Sequence, residues 1–168
     1  MKKKIRKIVH VLYLIASMVI SLLMVHYRLL YKKKKRETAS SAGTKRNSMY
    51  LTITTQWVLN KQEGKTMDAF FTENEIKKVA IYGMGTMEEL LYNELKNMDV
   101  DVSYFIDKNA TNYEFMYDVI TLDQMSNFEM VDAVIVTPVF AFGEIAEDVK
   151  KNADVKIVSL EELVYAMK

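Results

Sequence analysis

The chain has 168 residues, no cysteine and two histidines, and its formal net charge is +1. The lack of cysteine excludes disulfides and thiolate metal sites, and two histidines alone make a poor metal site, so no metal centre is expected. The charge is unevenly distributed. Residues 1–36 carry eleven Lys or Arg and no acid, whereas residues 37–168 carry twelve basic and twenty-two acidic residues. An acidic globular part argues against nucleic acid as a partner.

The N-terminal segment combines an apolar run with basic flanks. Residues 8–27 carry no formal charge, which is long enough to cross a bilayer as a helix. Five basic residues precede the run, and Arg28 and the basic cluster at 32–36 follow it. A basic end beside an apolar run favours a membrane with anionic lipid. We therefore predict a basic-flanked, hydrophobic membrane helix over residues 1–36.

A second interpretation of this segment stays open. On a helix, His10, Ser17, Ser21 and Arg28 fall on one narrow polar stripe. A helix lying in the plane of the membrane would expose such a stripe to headgroups and water. A helix buried against protein is the third alternative.

Residues 37–73 are predicted to connect this helix to a globular domain. The stretch 37–48 is polar, contains Gly43 and is typical of a linker. A mixed apolar stretch with Trp57 follows, and residues 66–71 are expected to form a short helix that packs on the domain.

Residues 74–168 alternate between apolar runs and helical patterns. Apolar runs typical of strands occur at 79–82, 102–107, 119–122, 133–137 and 155–158. Helical patterns occur at 87–95, 144–151 and 160–167, and a turn or two of helix is expected at 123–129. This alternation predicts an α/β fold, a doubly wound five-stranded parallel sheet (Rossmann-like) with strand order 3-2-1-4-5. The link between the second and third strands shows no clear helix.

A Gly-x-Gly turn follows the first predicted strand and opens the first predicted helix. Gly83 would allow the tight turn, and Gly85 would let the backbone approach a pyrophosphate at the helix N-terminus. Thr86, the next residue, is a further candidate ligand contact. The other interpretation is that the glycines serve only the backbone geometry of a strand-to-helix turn.

Two more candidate ligand contacts follow later strands. Asp107 ends the second predicted strand, near the spacing of the acid that holds a ribose hydroxyl in dinucleotide-binding folds. Thr137 follows the fourth, beside the point where such sheets bind ligands. Asp107 could equally be a solvated acid, and Thr137 part of an ordinary loop.

Features of the first helix oppose the binding of a phosphate. Glu88 stands where the dinucleotide-binding fingerprint has its third glycine. Thr86 and Glu89 have the spacing of a capping box, which would satisfy the first helical N–H groups internally. Two carboxylates in the first turn would also repel a phosphate.

The predicted sheet domain contains no His or Cys, so no nucleophile–histidine–acid set is possible there. The catalytic residues are therefore unknown, and the pattern favours binding over catalysis. The cofactor is likewise unassigned, and NAD(P) and a UDP-sugar are both compatible with the Gly-x-Gly turn.

Four segments together resemble a known family: VAIYGMG at 79–85, YFID at 104–107, DVITLD at 118–123 and VDAVIVT at 131–137. They are similar to the Rossmann-like domain of bacterial surface-polysaccharide proteins. Relatives are the nucleotide-binding domain of membrane-bound nucleotide-sugar dehydratases and the N-terminal domain of sugar acetyltransferases. The resemblance covers about residues 75–165, and in those relatives the catalytic machinery lies in a further domain.

With the basic-flanked apolar segment and the acidic sheet domain, this resemblance favours a membrane-tethered accessory protein that binds a nucleotide or nucleotide-sugar in surface-polysaccharide assembly. Its sheet domain would lie on the cytoplasmic side of the membrane, and a glycan-assembly enzyme would be its partner. The alternatives are a dinucleotide-sensing regulatory module, an NAD-dependent enzyme component, and a protein-interaction module without a ligand.

Overall fold

The computed structural model describes the backbone of residues 2–110 and 118–168 and the side chains of residues 17–110 and 118–168. The chain divides into two compact units, Met1–Asn47 and Ser48–Lys168. The second unit contains the sheet and the candidate site.

The chain begins with a long helix, α1 (Lys2–Gln62). Residues 37–48, interpreted from sequence as a linker, are part of this helix. The chain's single proline lies far away at 138, and hydroxyl groups in this stretch donate to carbonyls one turn earlier, as Thr44 does to Ser40 at 3.0 Å. The helix extends well beyond the predicted membrane segment of residues 1–36, and polar residues dominate 32–48.

The described residues contain no helix that is both long enough and apolar enough to cross a membrane. Residues 8–16 of the predicted apolar run lie outside the described side chains, and so does His10.

Five parallel strands form one sheet in the order β3-β2-β1-β4-β5. The strands are β1 (Lys78–Tyr82), β2 (Asp101–Ile106), β3 (Val119–Ile120), β4 (Ala133–Val136) and β5 (Lys156–Ser159). The α/β class, the five parallel strands and their predicted order are confirmed. The predicted link without a helix, between β2 and β3, lies partly outside the described residues, at 111–117.

Short helices precede, connect and follow the strands. They are α2 (Asp68–Glu73), α3 (Thr86–Leu95), α4 (Phe142–Asn152) and α5 (Leu160–Tyr165), with 3-10 turns at Leu122–Asn127 and Val139–Ala141. The short helix expected near 66–71 is α2, whose Phe70 and Phe71 are buried and meet edge to face, with ring centroids 5.8 Å apart.

Apolar side chains cover both faces of the sheet, because successive residues of a strand point to opposite sides. On one face, Val79, Phe105 and Ile135 join a cluster with α3 and α5. On the other, Ile106 and Val134 join a cluster with α4 and the 3-10 turn after β3. All four residues of β4 are fully buried, as expected for a central parallel strand.

The last turns of α1 belong to the core of the second unit. Ile53 and Trp57 are 1% and 6% exposed and lie in the same cluster as α3 and α5. The buried Asn60 Nδ2 donates to the Val164 carbonyl at 2.7 Å. Part of the segment that the sequence assigned to a connection is therefore a structural element of the sheet domain.

Asp132 connects the start of β4 to the start of β1. Its Oδ2 accepts hydrogen bonds from the backbone N–H groups of Lys77 and Lys78, both at 2.8 Å. These two hydrogen bonds lower the pKa of Asp132 below its usual range. Since this depression is present only in the folded protein, the ionised carboxylate contributes stability above its unfolded pKa, and the contribution is lost as pH falls through the folded pKa.

We expect Asp132→Ala to lower the free energy of unfolding at pH 7 by at most about 1 kcal/mol, because the carboxylate is exposed. Urea unfolding at pH 7 and at progressively lower pH checks this, and the difference from wild type should shrink as the pH falls. Asp154→Ala, at another exposed acid, is the control. A pH-independent loss at Asp132 would contradict the role of its charge.

Candidate functional site

The candidate site lies where the C-terminal ends of β1 and β4 meet. β1 continues to β2 on one side and β4 continues to β5 on the other, so the connections diverge at this point. In open parallel sheets this divergence creates the crevice in which ligands bind. Thr137 joins the two strand ends here, because its N–H and its hydroxyl both donate to the Tyr82 carbonyl at 3.0 Å.

Gly83 is required by the turn itself. Its φ is +119°, a conformation that residues with a side chain rarely adopt. A Cβ at this position would overlap Thr137 Oγ1 and lie 3.2 Å from Pro138 Cδ. Its N–H donates to the Ile106 carbonyl at 2.9 Å. Packing alone therefore explains this glycine, and the Thr137 hydroxyl, 2% exposed, already donates within the protein.

Gly85 has a different environment from Gly83. It is exposed and is the N-cap of α3, with φ −146° and ψ −148°. No side chain caps the helix from this position, and Thr86 is the exposed first residue of α3. The predicted capping box between Thr86 and Glu89 is therefore wrong, because the helix begins one residue earlier than that motif requires.

The Glu88 side chain folds back over Gly85. Glu88 is only 6% exposed, and its Oε1 would lie 3.4 Å from a Cβ at Gly85. Burial raises the pKa of Glu88, and the charges of Asp107 and Glu89 raise it further. Hydrogen bonding to its own backbone N–H and to the Thr137 hydroxyl opposes this rise. The sequence identified Glu88 as a departure from the fingerprint, but not that its carboxylate lies against the turn.

Asp107 follows β2 and reaches the same edge of the sheet. Its N–H donates to the Ile120 carbonyl at 3.0 Å, and its Oδ1 accepts from the Asn109 N–H at 2.7 Å. It is half-buried, and its charge acts on both Glu88 and Tyr82. A carboxylate that accepts one short backbone hydrogen bond keeps acceptor capacity for a ligand hydroxyl.

Tyr82 brings a polar atom to this edge that the sequence interpretation assigned to packing. The residue is 4% exposed, and its hydroxyl has no hydrogen-bond partner among the described residues. Burial raises the pKa of Tyr82, with further contributions from Asp107, Asp148 and Glu144. Buried polar atoms are normally hydrogen-bonded, so this hydroxyl, in the cluster packed against α4, is an exception among the described residues. The sequence signal for this buried hydroxyl was a tyrosine at the end of an apolar strand.

A groove of about 310 Å³ opens beside α3 and the ends of β2 and β3. The described residues that line it are Met84, Gly85, Glu88, Glu89, Tyr92, Asn93, Phe105 and Val119. Its volume is at the lower end of the range for small-molecule sites. Apolar and aromatic walls with two carboxylates suit a base or sugar, whereas no Lys or Arg among these residues offers a charge to a phosphate.

The structure thus places Gly83, Gly85, Thr86, Asp107 and Thr137 at one edge of the sheet. The described residues contain no group of three or more His, Asp or Glu side chains able to hold a metal ion. Hydrogen-bond acceptors dominate the edge, which is suited to binding hydroxyl and amino groups.

Comparisons with protein-family models, with curated proteins and with solved structures find no match to this chain. The function is therefore inferred from the fold and the site.

Proposed function

We propose that this chain is a membrane-tethered accessory protein whose sheet domain binds a nucleotide or nucleotide-sugar. One observation carries the proposal: the Gly83–Gly85 turn and Asp107 follow neighbouring strands at the C-terminal edge of the parallel sheet, and Gly85 also lines a groove beside α3. In this proposal the domain is a doubly wound, Rossmann-like domain. Apolar clusters on both faces of the parallel sheet support that arrangement.

The chemistry of the groove supports a ligand that contains a nucleoside. Tyr92 and Phe105 line the groove and would offer aromatic surface to a base. Asp107, which follows β2 outside the groove lining, would offer a carboxylate to ribose hydroxyl groups. The backbone at Gly85, at the N-terminus of α3, is where a pyrophosphate would approach. NAD(P) and UDP-sugars share these parts.

The resemblance to surface-polysaccharide proteins supports nucleotide-sugars over dinucleotides and a glycan-assembly enzyme as the partner. Binding without catalysis is proposed because the sheet domain has no His or Cys and no catalytic set can be assigned. A dinucleotide sensor would differ in its ligand alone, and selective binding of NAD or NADH would favour it.

Helix α1 supplies the proposed attachment to the membrane. Between residues 18 and 31, large apolar side chains are at least 49% exposed, and the basic cluster 32–36 follows them. The exposed residues are Met18, Val19, Ile20, Leu22, Leu23, Met24, Val25, Tyr27, Leu29, Leu30 and Tyr31. Contiguous exposed apolar surface marks an interaction site, and adjacent basic residues favour anionic lipid headgroups. The sheet domain would then lie on the cytoplasmic side.

Ligand binding is tested by thermal unfolding of the full-length protein with NAD, NADH, NADP, UDP-sugars and TDP-sugars. A ligand at 100 times its Kd should stabilise the protein by about 2.7 kcal/mol through mass action. Gly85→Ala should weaken that effect, because its new methyl group enters the space where the ligand would approach. Gly143→Ala, where a Cβ would meet nothing within 4 Å, is the matched control. No shift with any compound at millimolar concentration would contradict nucleotide binding.

Membrane attachment is tested by flotation of the full-length protein with neutral and with phosphatidylserine-containing vesicles. We expect preferential flotation with the anionic vesicles, and loss of that preference when residues 32–36 are replaced by glutamate. Each basic residue near such a surface contributes about 1 kcal/mol to membrane binding, so the five residues of this cluster should strengthen binding to anionic vesicles substantially. Equal flotation of both proteins with both vesicle types would contradict an electrostatic contribution.

A second candidate is a protein-interaction module that binds no nucleotide. The observation that favours it is Glu88, whose carboxylate already lies against Gly85. It predicts that neither the wild-type protein nor a Glu88 variant binds any nucleotide.

A further inference from the structure

We propose that Glu88 is an internal competitor for the ligand's phosphate group, whose binding at the N-terminus of α3 it weakens while its carboxylate is charged. This inference rests on the proposed function, because it concerns the same site. It adds a specificity-determining residue that selects between charged and uncharged parts of a ligand at this position.

The geometry places a carboxylate where an anion would bind. Gly85 is the N-cap of α3, and the Glu88 oxygens lie 3.4 and 3.7 Å from a Cβ built on it. Hydrogen bonding from the backbone N–H of Glu88, one of the donors at this helix N-terminus, also opposes the rise in the pKa of Glu88 and so favours its charged form. The Glu88 carboxylate therefore lies at the position beside Gly85 that the turn would otherwise leave open to a ligand phosphate.

The surroundings of Glu88 make this arrangement sensitive to charge. Glu89 on α3 and Asp107 after β2 are both acidic and raise the pKa of Glu88, while Thr137 after β4 faces it with a hydroxyl. No Lys or Arg among the described residues contributes to its titration. A phosphate entering here would meet up to three carboxylates at once, which is electrostatically unfavourable.

Neutralising Glu88 would remove the nearest of these charges. Because the charged form repels phosphate and the protonated form does not, diphosphate affinity should rise as pH falls through the pKa of Glu88. The affinity of an uncharged nucleoside should not follow this titration.

The experiment measures the Kd of UDP-N-acetylglucosamine, NADH and uridine by calorimetry with the full-length protein. Wild type is compared with Glu88→Gln and with Glu161→Gln, a matched control whose exposed carboxylate lies in the first turn of α5, outside the groove. We expect Glu88→Gln to bind at least one diphosphate about tenfold more tightly than wild type at pH 7.5. The control should change by less than about threefold, and uridine binding should not distinguish the proteins.

A second variant and a pH series keep the test informative if Glu88→Gln does not fold. Glu88→Asp keeps the charge but withdraws it from Gly85 by one methylene, so a smaller gain is expected. In wild type the diphosphate affinity should increase as the pH falls through the raised pKa of Glu88, with a smaller increase in either Glu88 variant.

The outcomes separate this inference from the proposed function. Equally tight, pH-independent diphosphate binding by wild type and the Glu88 variants would overturn the role of Glu88 while supporting nucleotide binding. Absence of binding by every protein at millimolar ligand would overturn nucleotide binding and, with it, this inference.

Discussion

Replacing Trp57 by alanine is expected to lower the free energy of unfolding of the sheet domain by about 3–5 kcal/mol. The indole is 6% exposed and lies in a cluster with residues of α3, α5 and the sheet. Its loss leaves a cavity that the surrounding helices can fill only in part. Urea unfolding of residues 48–168, monitored by circular dichroism, measures the effect.

The control for Trp57 is Leu51→Ala on the same helix, where the side chain is 69% exposed. That substitution should change stability by no more than about 0.5 kcal/mol. A fragment comprising 66–168 should unfold far more readily than 48–168, because it also lacks Ile53 and Asn60, which lie in the core. Equal stability of the two fragments would show that α1 does not contribute to the core.

The second large effect is expected at the glycine turn. Gly83→Ala should destabilise the protein by about 2–4 kcal/mol, since it combines a strained φ of +119° with a methyl group that overlaps Thr137 Oγ1. Thermal and urea unfolding of the full-length protein in detergent measure this loss. Gly143→Ala, in open space on α4, should be neutral or slightly stabilising.

The cause of the loss at Gly83 can be separated with a second substitution. Thr137→Ala removes the overlapping hydroxyl, so the Gly83→Ala/Thr137→Ala pair should cost less than the sum of the single variants. Strict additivity would assign the whole effect to backbone strain. A Gly83→Ala protein as stable as wild type would contradict both contributions.

Local sequence patterns were sufficient to predict the sheet. The apolar run before Gly83 is β1, and the apolar run 133–136 is β4, buried on both faces. Strands that alternate with helices require crossovers of one hand, which restricts the order to few possibilities, and the predicted order 3-2-1-4-5 is the observed one. The meeting of Gly83, Asp107 and Thr137 at one edge follows from that order.

Local sequence patterns did not predict the full length of the first helix or the burial of its last turns. Residues 37–48 have the composition of a linker. Composition alone does not predict that hydroxyl groups will donate hydrogen bonds within a helix, as Thr38 does to the Lys34 carbonyl. The burial of Trp57 depends on partners far along the chain, as shown by the bond from Asn60 to Val164. A short window of sequence around residue 57 does not include such distant residues, so it cannot predict this burial.

The candidate site divides in the same way. The sequence by itself determined which residues stand at the strand ends, that Glu88 replaces a glycine, and that the edge is acidic, because these are properties of residue type and spacing. Only the tertiary structure decided that Thr137 Oγ1 leaves no room for a side chain at Gly83 and that Glu88 lies over Gly85. It also decided that the Tyr82 hydroxyl is buried without a partner among the described residues. These are side-chain positions, and they depend on how strands distant in sequence pack against each other.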